Sequence, residues 1–342
     1  MTGLISKPAE AELLRQALEE IVRQACGGQS SIAAVQRSRS SYASYYGVEI
    51  VTVALLGGGE FKIFLKNFGS YAAAKDGMEQ RRGRELHVCR DILGHSGLGT
   101  ATYYGAVWHE PVGPFWLFLE FVEGLPVRYC SFEHWVEAAG WIGRAQGFFH
   151  RNPGLLNGRD YLLAHDAPFF FSVAERAQRA LAQWSPGMSE RLDRALCCYD
   201  GVVDTMTSQP KTLVHGAYRP GQILLRRRPE PPRICPVDWE LAAIGSSFYD
   251  LAFLADGFKP PRLDDVLEAY RAEASHSGVP VPDLETVKYI VACYRLHKVL
   301  TWLSHSADRK FAEPDVVKLV GMAERLAGGE LTPIGGMKAR AP

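Results

Sequence analysis

The sequence has no CxxC pair, no HExxH spacing and no bias of charge. Each absence removes a class of function. The seven cysteines (Cys26, Cys89, Cys130, Cys197, Cys198, Cys235 and Cys293) are odd in number and scattered. They suggest neither a disulfide framework nor a zinc site, and a reduced compartment is the default. Ten histidines without HExxH argue against a zinc hydrolase. Lys plus Arg equals Asp plus Glu at 38 each, so bulk charge offers no case for nucleic acid or an acidic membrane as partner. Local basic patches stay open. No apolar run approaches the roughly 18 residues of a membrane span, and no basic start is followed by a continuous apolar stretch. The expectation is a soluble cytoplasmic protein without nucleic-acid or membrane partners.

What is present is an ordinary globular composition, 47% hydrophobic and 22% charged over 342 residues, long enough for two lobes. Residues 8–26 carry Leu14, Leu18, Ile21 and Ala25 at helical spacing. Strands are expected at 32–39, 48–56 and 60–66, the last two joined at Gly57–Gly59. The spacing predicts a helix at 79–93 and a strand pair at 101–108 and 114–124. After Gly124 the pattern turns helical, with Trp135, Ala138, Ile142, Ala145 and Phe149 on one face. Further helices are expected at 171–184, 187–207, 263–276, 284–304 and 314–327, with a short strand pair about the Pro-rich turn 226–233. The reading is α+β with segregated classes: an N-terminal helix at 1–30, a strand-rich lobe at 31–123, a helical lobe at 124–328 and a disordered tail at 329–342.

Phosphoryl transfer needs a cation for the phosphates, oxygen ligands for magnesium and a group to position the attacking hydroxyl. Lys66 ends an expected strand and Glu85 lies on the next helix. Taken alone they also read as a surface lysine and a solvated glutamate. Asp238 follows the apolar strand ICPV, where a lone aspartate is usually a cap or turn residue. The loop SSYASYY, with Ser40, Ser41 and Ser44, reads equally as a phosphate cover or as a solvated turn.

Residues 215–225, HGAYRPGQILL, and 236–254, PVDWELAAIGSSFYDLAFL, carry a family resemblance. With Lys66, Glu85 in RELHVCRDIL and the hinge-like LEFVEG containing Glu120 and Val122, the chain resembles the aminoglycoside phosphotransferase and choline kinase group over roughly residues 30–305. That group's loop reads His-x-Asp-x-x-x-x-Asn, with a metal-binding Asp some residues later. The resemblance implies a bilobal protein-kinase-like fold, with a small β-rich N-lobe and a larger helical C-lobe. It implies ATP or another NTP with Mg2+ as cofactors, and transfer of phosphate to a hydroxyl of a small molecule or peptide. Natural-product tailoring is compatible with it by analogy.

By the same resemblance His215 fills the loop's His place, Asp238 and Gln222 the metal-ligand places, and Asp250 the place of a buried brace. Arg219 stands where many kinases carry a cation near the transferred phosphate. Ser40, Ser41, Ser44, Lys66, Glu85, Glu120 and Val122 fall to the nucleotide. The departures are Gln222 for Asn and, above all, Ala217 in the catalytic-base place. Glu240 is the candidate substitute base, by proximity in sequence. Three outcomes stay open: a phosphotransferase, a pseudokinase serving as scaffold or partner of another enzyme, and nucleotidyl transfer on the same scaffold. No acidic cluster marks an aminoglycoside grip. Phe169, Phe170, Phe171, Tyr294 and Trp302 are candidate acceptor walls, with plain core packing the stronger reading.

Overall fold

The computed structural model of the chain describes residues 7–26, 31–40, 46–71, 77–110, 113–228, 232–307 and 311–330. Its elements in order are α1 (Lys7–Ala25), β1 (Ile32–Arg39), β2 (Tyr46–Leu55), β3 (Glu60–Tyr71), α2 (Met78–His87), β4 (Tyr103–Trp108), β5 (Phe115–Glu120), β6 (Leu125–Pro126), α3 (Phe132–Arg151), β7 (Leu163–Ala164), α4 (Ala167–Trp184), α5 (Pro186–Ala195), α6 (Tyr199–Thr207), β8 (Thr212–Val214), β9 (Ile223–Arg226), β10 (Arg233–Pro236), β11 (Ala243–Gly245), α7 (Ser247–Leu254), α8 (Arg262–His276), α9 (Leu284–Ser304) and α10 (Glu313–Arg325). They fall into two compact units, residues 1–125 with 224–240, and residues 126–223 with 241–342. Strands dominate the first and helices the second, an α+β architecture.

The first unit is built on an antiparallel sheet of order β1-β2-β3-β5-β4. The period-2 alternation of β3 decides its two faces. Ile63 and Leu65 point to one side, where Leu14, Leu18, Ile21 and Val22 of α1 cover them together with Val51, Val53, Trp116 and Phe118. Each such side chain, removed from water, contributes about 1.5–3 kcal/mol. Lys66 and Phe68 lie on the opposite face, so burying the odd positions commits Lys66 to the face away from α1. β3 runs on to Tyr71, which puts Lys66 inside the strand rather than at its end.

The helix expected at 79–93 is α-helical only to His87. A π-turn, Val88–Ile92, and a 3-10 turn, Leu93–His95, complete it. The extra residue in such a turn rotates the residues beyond it about the axis.

In the second unit α3 packs along α8, and glycine makes the close approach possible. A Cβ on Gly143 would stand 2.6 Å from the Tyr270 carbonyl oxygen. α9 is the central helix, buried over much of its length and packed by α4, α6, α7 and α10. The single helix expected at 187–207 is two. The backbone leaves the helical region at Leu196 and Cys198, and α5 gives way to α6. The change of direction lets Leu192 and Tyr199 both be buried. A small sheet of order β7-β11-β8 carries the loops that follow β8 and precede α7. Residues 331–342 of the expected tail lie outside the described residues. Among the described residues no helix is long and apolar enough to cross a membrane.

Candidate functional site

The first unit gathers charge around one lysine. The Lys66 ammonium stands 2.6 Å from Glu85 Oε2 and 2.6 Å from Asp238 Oδ1. The Lys66 and Glu85 side chains are 8% and 2% exposed, whereas Asp238 is 33% exposed, so the water-facing member of the trio is the aspartate. Burial acts to lower the Lys66 pKa, but the charges of Asp238, Glu85 and Glu240 outweigh it and raise it. The cation is therefore fixed. Burial pushes Glu85 upward, and Asp238 adds to the push while Lys66 opposes it. Tyr46 and Phe68 place their rings 5.3 and 5.2 Å from the ammonium.

Asp238 is the one non-glycine residue with positive φ among those described, at 71°. Asp tolerates this region better than most residues, yet such strain persists only where surrounding structure fixes it. Here the Lys66 contact holds its carboxylate, and Trp239 Nε1 donates to the Pro236 carbonyl at 3.2 Å. Arg84, buried in α2, donates to the Glu240 carbonyl at 2.6 Å. The Glu240 carboxylate lies 3.4 Å from Arg81. Arg81, Arg84 and Glu85 share one α2 face by their i, i+3, i+4 spacing. That spacing was a signal for the two arginines, which reading by residue type passes over.

The second unit holds the loop 215–222 by many bonds. Asp250, in the first turn of α7, accepts from the backbone N–H groups of His215 at 2.7 Å and Gly216 at 3.1 Å. The N–H of Ala217 donates to His215 Nδ1 at 3.3 Å, which fixes that nitrogen as the acceptor. Gly216 has φ 78°, and a Cβ there would meet the Leu241 carbonyl oxygen at 2.1 Å. Tyr218, fully buried, donates to the Ala138 carbonyl at 2.9 Å and stacks on Trp141. Arg128 N–H bonds the Pro220 carbonyl at 3.1 Å, and Gln222 N–H bonds the Arg219 carbonyl at 2.8 Å. Ala217 itself is 4% exposed. Its methyl group offers no acid or base.

The other residues singled out from sequence have these surroundings. Ser40 is buried and its N–H bonds the Val48 carbonyl; Ser41 and Ser44 lie outside the described residues. Glu120 accepts from Thr102 and pairs with Arg226 at 3.0 Å and Arg233 at 2.7 Å. Burial would raise its pKa, but Arg233 and Thr102 hold it below the usual carboxylate value. The Val122 carbonyl accepts from Gly124 N–H at 2.8 Å. Arg219 lies over Trp302 and Phe253, at 5.4 and 5.9 Å from the ring centres. Phe170 and Tyr294 are buried core residues.

A lysine tied to a helix glutamate, an aspartate beyond a strand and a loop braced from a helix start define a kinase-like protein, and the fold agrees. A GDP complex of an aminoglycoside 2'-phosphotransferase-IIIa variant has TM-score 0.61 at 12% identity, covering 93% of this chain and 100% of that one. A microcompartment-associated aminopropanol kinase has TM-score 0.59 at 15% identity, over 93% and 95%. A choline kinase from Cryptosporidium parvum Iowa II has TM-score 0.56 at 11% identity, over 94% and 95%. A search of curated proteins finds no match. The profile of the phosphotransferase enzyme family matches residues 79–288, and the chain belongs to that family.

Proposed function

We propose that the chain is a nucleoside-triphosphate- and magnesium-dependent phosphotransferase that acts on a hydroxyl of a small molecule. The observation that carries the reading is Lys66, buried and held at 2.6 Å by both Glu85 and Asp238. A fixed, poorly hydrated cation suits an anionic phosphate, and the strained backbone of Asp238 suits a residue kept for its carboxylate.

Asp238 offers carboxylate oxygens and Gln222 an amide oxygen, the kind of ligand magnesium takes. Magnesium, when bound, neutralises phosphate charge. Lys66 orients phosphate oxygens, Glu85 holds Lys66, and Asp250 and His215 fix the loop backbone that carries Arg219. Arg219 supplies bidentate N–H donors to a phosphate. Positioning and electrostatics carry most of phosphoryl transfer, so loss of a general base slows it by about a hundred- to ten-thousandfold without abolishing the other contributions. Glu240 is the carboxylate this reading offers in place of a base.

The test is thermal unfolding with ATP and magnesium. A ligand at a hundred times its Kd stabilises the folded state by about 2.7 kcal/mol. Wild type should show a magnesium-dependent rise in Tm that Asp238→Ala loses, with ADP release on addition of an acceptor. No rise for wild type would end the reading. The buried methyl of Ala217 favours a second reading, a nucleotide-binding protein without transfer. A full Tm rise with no ADP release for any acceptor would select it.

A further inference from the structure

The turn between α5 and α6 brings together two groups that regular structure would keep apart. Cys197 and Cys198 are neighbours in sequence. Neighbours on a helix do not face each other, and on a strand they point to opposite sides. Here the backbone leaves the helical region at Leu196 (φ −95°, ψ 7°) and again at Cys198 (φ −115°, ψ 22°). Within that turn the two sulfurs stand 3.6 Å apart, in hydrogen-bond contact, and both residues are exposed. Buried residues flank the turn, Leu192 on one side and Tyr199 on the other. The Tyr199 hydroxyl stands 3.4 Å from His297 Nδ1 on α9. The thiols are therefore presented as a pair at the surface by a turn whose flanks belong to the core.

The remaining cysteines differ in access. Cys89, Cys235 and Cys293 are buried, and burial raises the pKa of each. The thiolate is the reacting form, so burial leaves these three inert. Cys26 and Cys130 are half-buried, and the Cys130 sulfur lies 3.6 Å from the Pro126 carbonyl oxygen. Only Cys197 and Cys198 are exposed. The hydrogen bond to Cys197, and then the charge of Cys197, raise the Cys198 pKa. Cys198 thus keeps its proton and donates it to a thiolate formed at Cys197.

We propose that Cys197 and Cys198 form a dithiol modification site, which a low-molecular-weight disulfide closes to a vicinal disulfide and a thiol reopens. The inference stands apart from the phosphotransferase reading. The Cys197 thiolate attacks one sulfur of the disulfide RSSR. A bond forms from that sulfur to Cys197, the RS–SR bond breaks and RS− leaves. Cys198 then gives up its proton and attacks the Cys197 sulfur of the mixed disulfide, and the second RS− leaves. The leaving thiolates take up the protons that the two cysteines released. Two electrons thus pass from the cysteines to RSSR, which becomes two equivalents of RSH. The second sulfur already stands 3.6 Å from the first, so the second step is intramolecular. Adjacent α-carbons lie about 3.8 Å apart, short of the roughly 4.4–6.8 Å usual for a disulfide. The ring is therefore strained and readily reduced, which makes the modification reversible.

The experiment uses oxidised glutathione as the disulfide. Reduced full-length protein is equilibrated with mixtures of oxidised and reduced glutathione, then quenched with N-ethylmaleimide and digested with trypsin. The peptide 195–211, which holds both cysteines, is weighed by mass spectrometry. Wild type should yield it lighter by two hydrogens and free of maleimide and glutathione, and dithiothreitol should restore the dithiol. At fixed oxidised glutathione, doubling the reduced form should cut the ratio of ring to dithiol about fourfold, because closure releases two thiols, whereas a mixed disulfide falls about twofold. That dependence is read on wild type and owes nothing to the folding of a variant. Cys197→Ser and Cys198→Ser, both at exposed positions, should each stop at one bound glutathione. A mixed disulfide that persists on wild type overturns the inference. So does a disulfide between two copies of the chain, or a peptide that takes up two maleimides at every ratio. A ring that excess reduced glutathione leaves closed overturns it as well.

Discussion

Replacing Asp250 by Asn separates the charge of the loop brace from its shape. Asp250 is 4% exposed, and burial pushes its carboxyl up to about 7 against the pull of the N–H groups of His215, Gly216 and Tyr218. In an unfolded chain the same group titrates near 3.8. Between these values the folded protein holds a proton that the unfolded chain has released. Stability from this group is complete below the lower value and is lost as pH rises to the upper one. At about 1.4 kcal/mol per pH unit, the rise from pH 5 to pH 7 removes about 3 kcal/mol. For a unit of this size that is about 6–12 °C in Tm. The Asp250→Asn variant has no proton to lose. It keeps one acceptor oxygen and turns an NH2 group toward the remaining donor, costing about 1–3 kcal/mol. Paired thermal scans at pH 5, 6, 7 and 8 should show the variant well below wild type at pH 5 and level with it or above by pH 8. Groups common to both proteins cancel in the difference. A penalty equal at all four values would refute the reasoning. A penalty that grows with pH would mean the N–H bonds outweigh burial and the native group is the carboxylate.

Two further outcomes follow from buried geometry. Gly216→Ala forces a Cβ to 2.1 Å from the Leu241 carbonyl oxygen at φ 78°, which L-residues adopt at a cost of about 1–2 kcal/mol before the clash is relieved. Its urea midpoint should fall by more than that strain alone predicts, and an unchanged midpoint would show that the loop is not pinned there. His297 is fully buried and held neutral, its pKa lowered to about 3 by burial first and by His165 and Arg176 after it. Its contribution is present above about 6.5 and is lost as pH falls, about 2 kcal/mol by pH 5. His297→Leu should flatten the acid limb of the stability profile by about that amount relative to wild type.

Legibility in the sequence followed the length scale of each pattern. The alternation of Phe61, Ile63 and Leu65 with Lys62, Phe64 and Lys66 is enough to assign the strand and its faces. The helical spacing of Leu14, Leu18 and Ile21 gives the helix, though not the sheet that it covers. Lys66, Glu85 and Asp238 could be picked out by type and order, and the structure places the Lys66 ammonium 2.6 Å from a carboxylate oxygen of each acid. The loop brace at Asp250 was legible only through the family resemblance of DLAFL, which lies within the buried α7. Shorter-range facts were not. Strands of two or three residues such as β7, β8 and β11 show no period at all. The break at Leu196–Cys198 has neither Gly nor Pro to mark it. Arg84 and Glu240 meet through a side chain and a main-chain carbonyl, and no residue type announces a bond to backbone. The same is true of Tyr218, whose hydroxyl finds the Ala138 carbonyl.

Ala217 gains its meaning from what surrounds it. The loop around Ala217 is shaped by buried, costly features. Gly216 still turns at positive φ beneath Leu241, Asp250 still occupies a buried position to satisfy two N–H groups, and Tyr218 is still locked to α3 by a hydrogen bond and a stack. A buried carboxyl with a raised pKa is a liability that a loose loop would not need. The scaffold that fixes the loop is therefore separable from the group that would accept a proton. What such a scaffold can deliver without that group is placement of Arg219 and Gln222. Placement and fixed charge are the larger share of phosphoryl transfer. On the phosphotransferase reading proposed above, the second unit keeps what depends on geometry, and alanine at 217 withholds what depends on basicity.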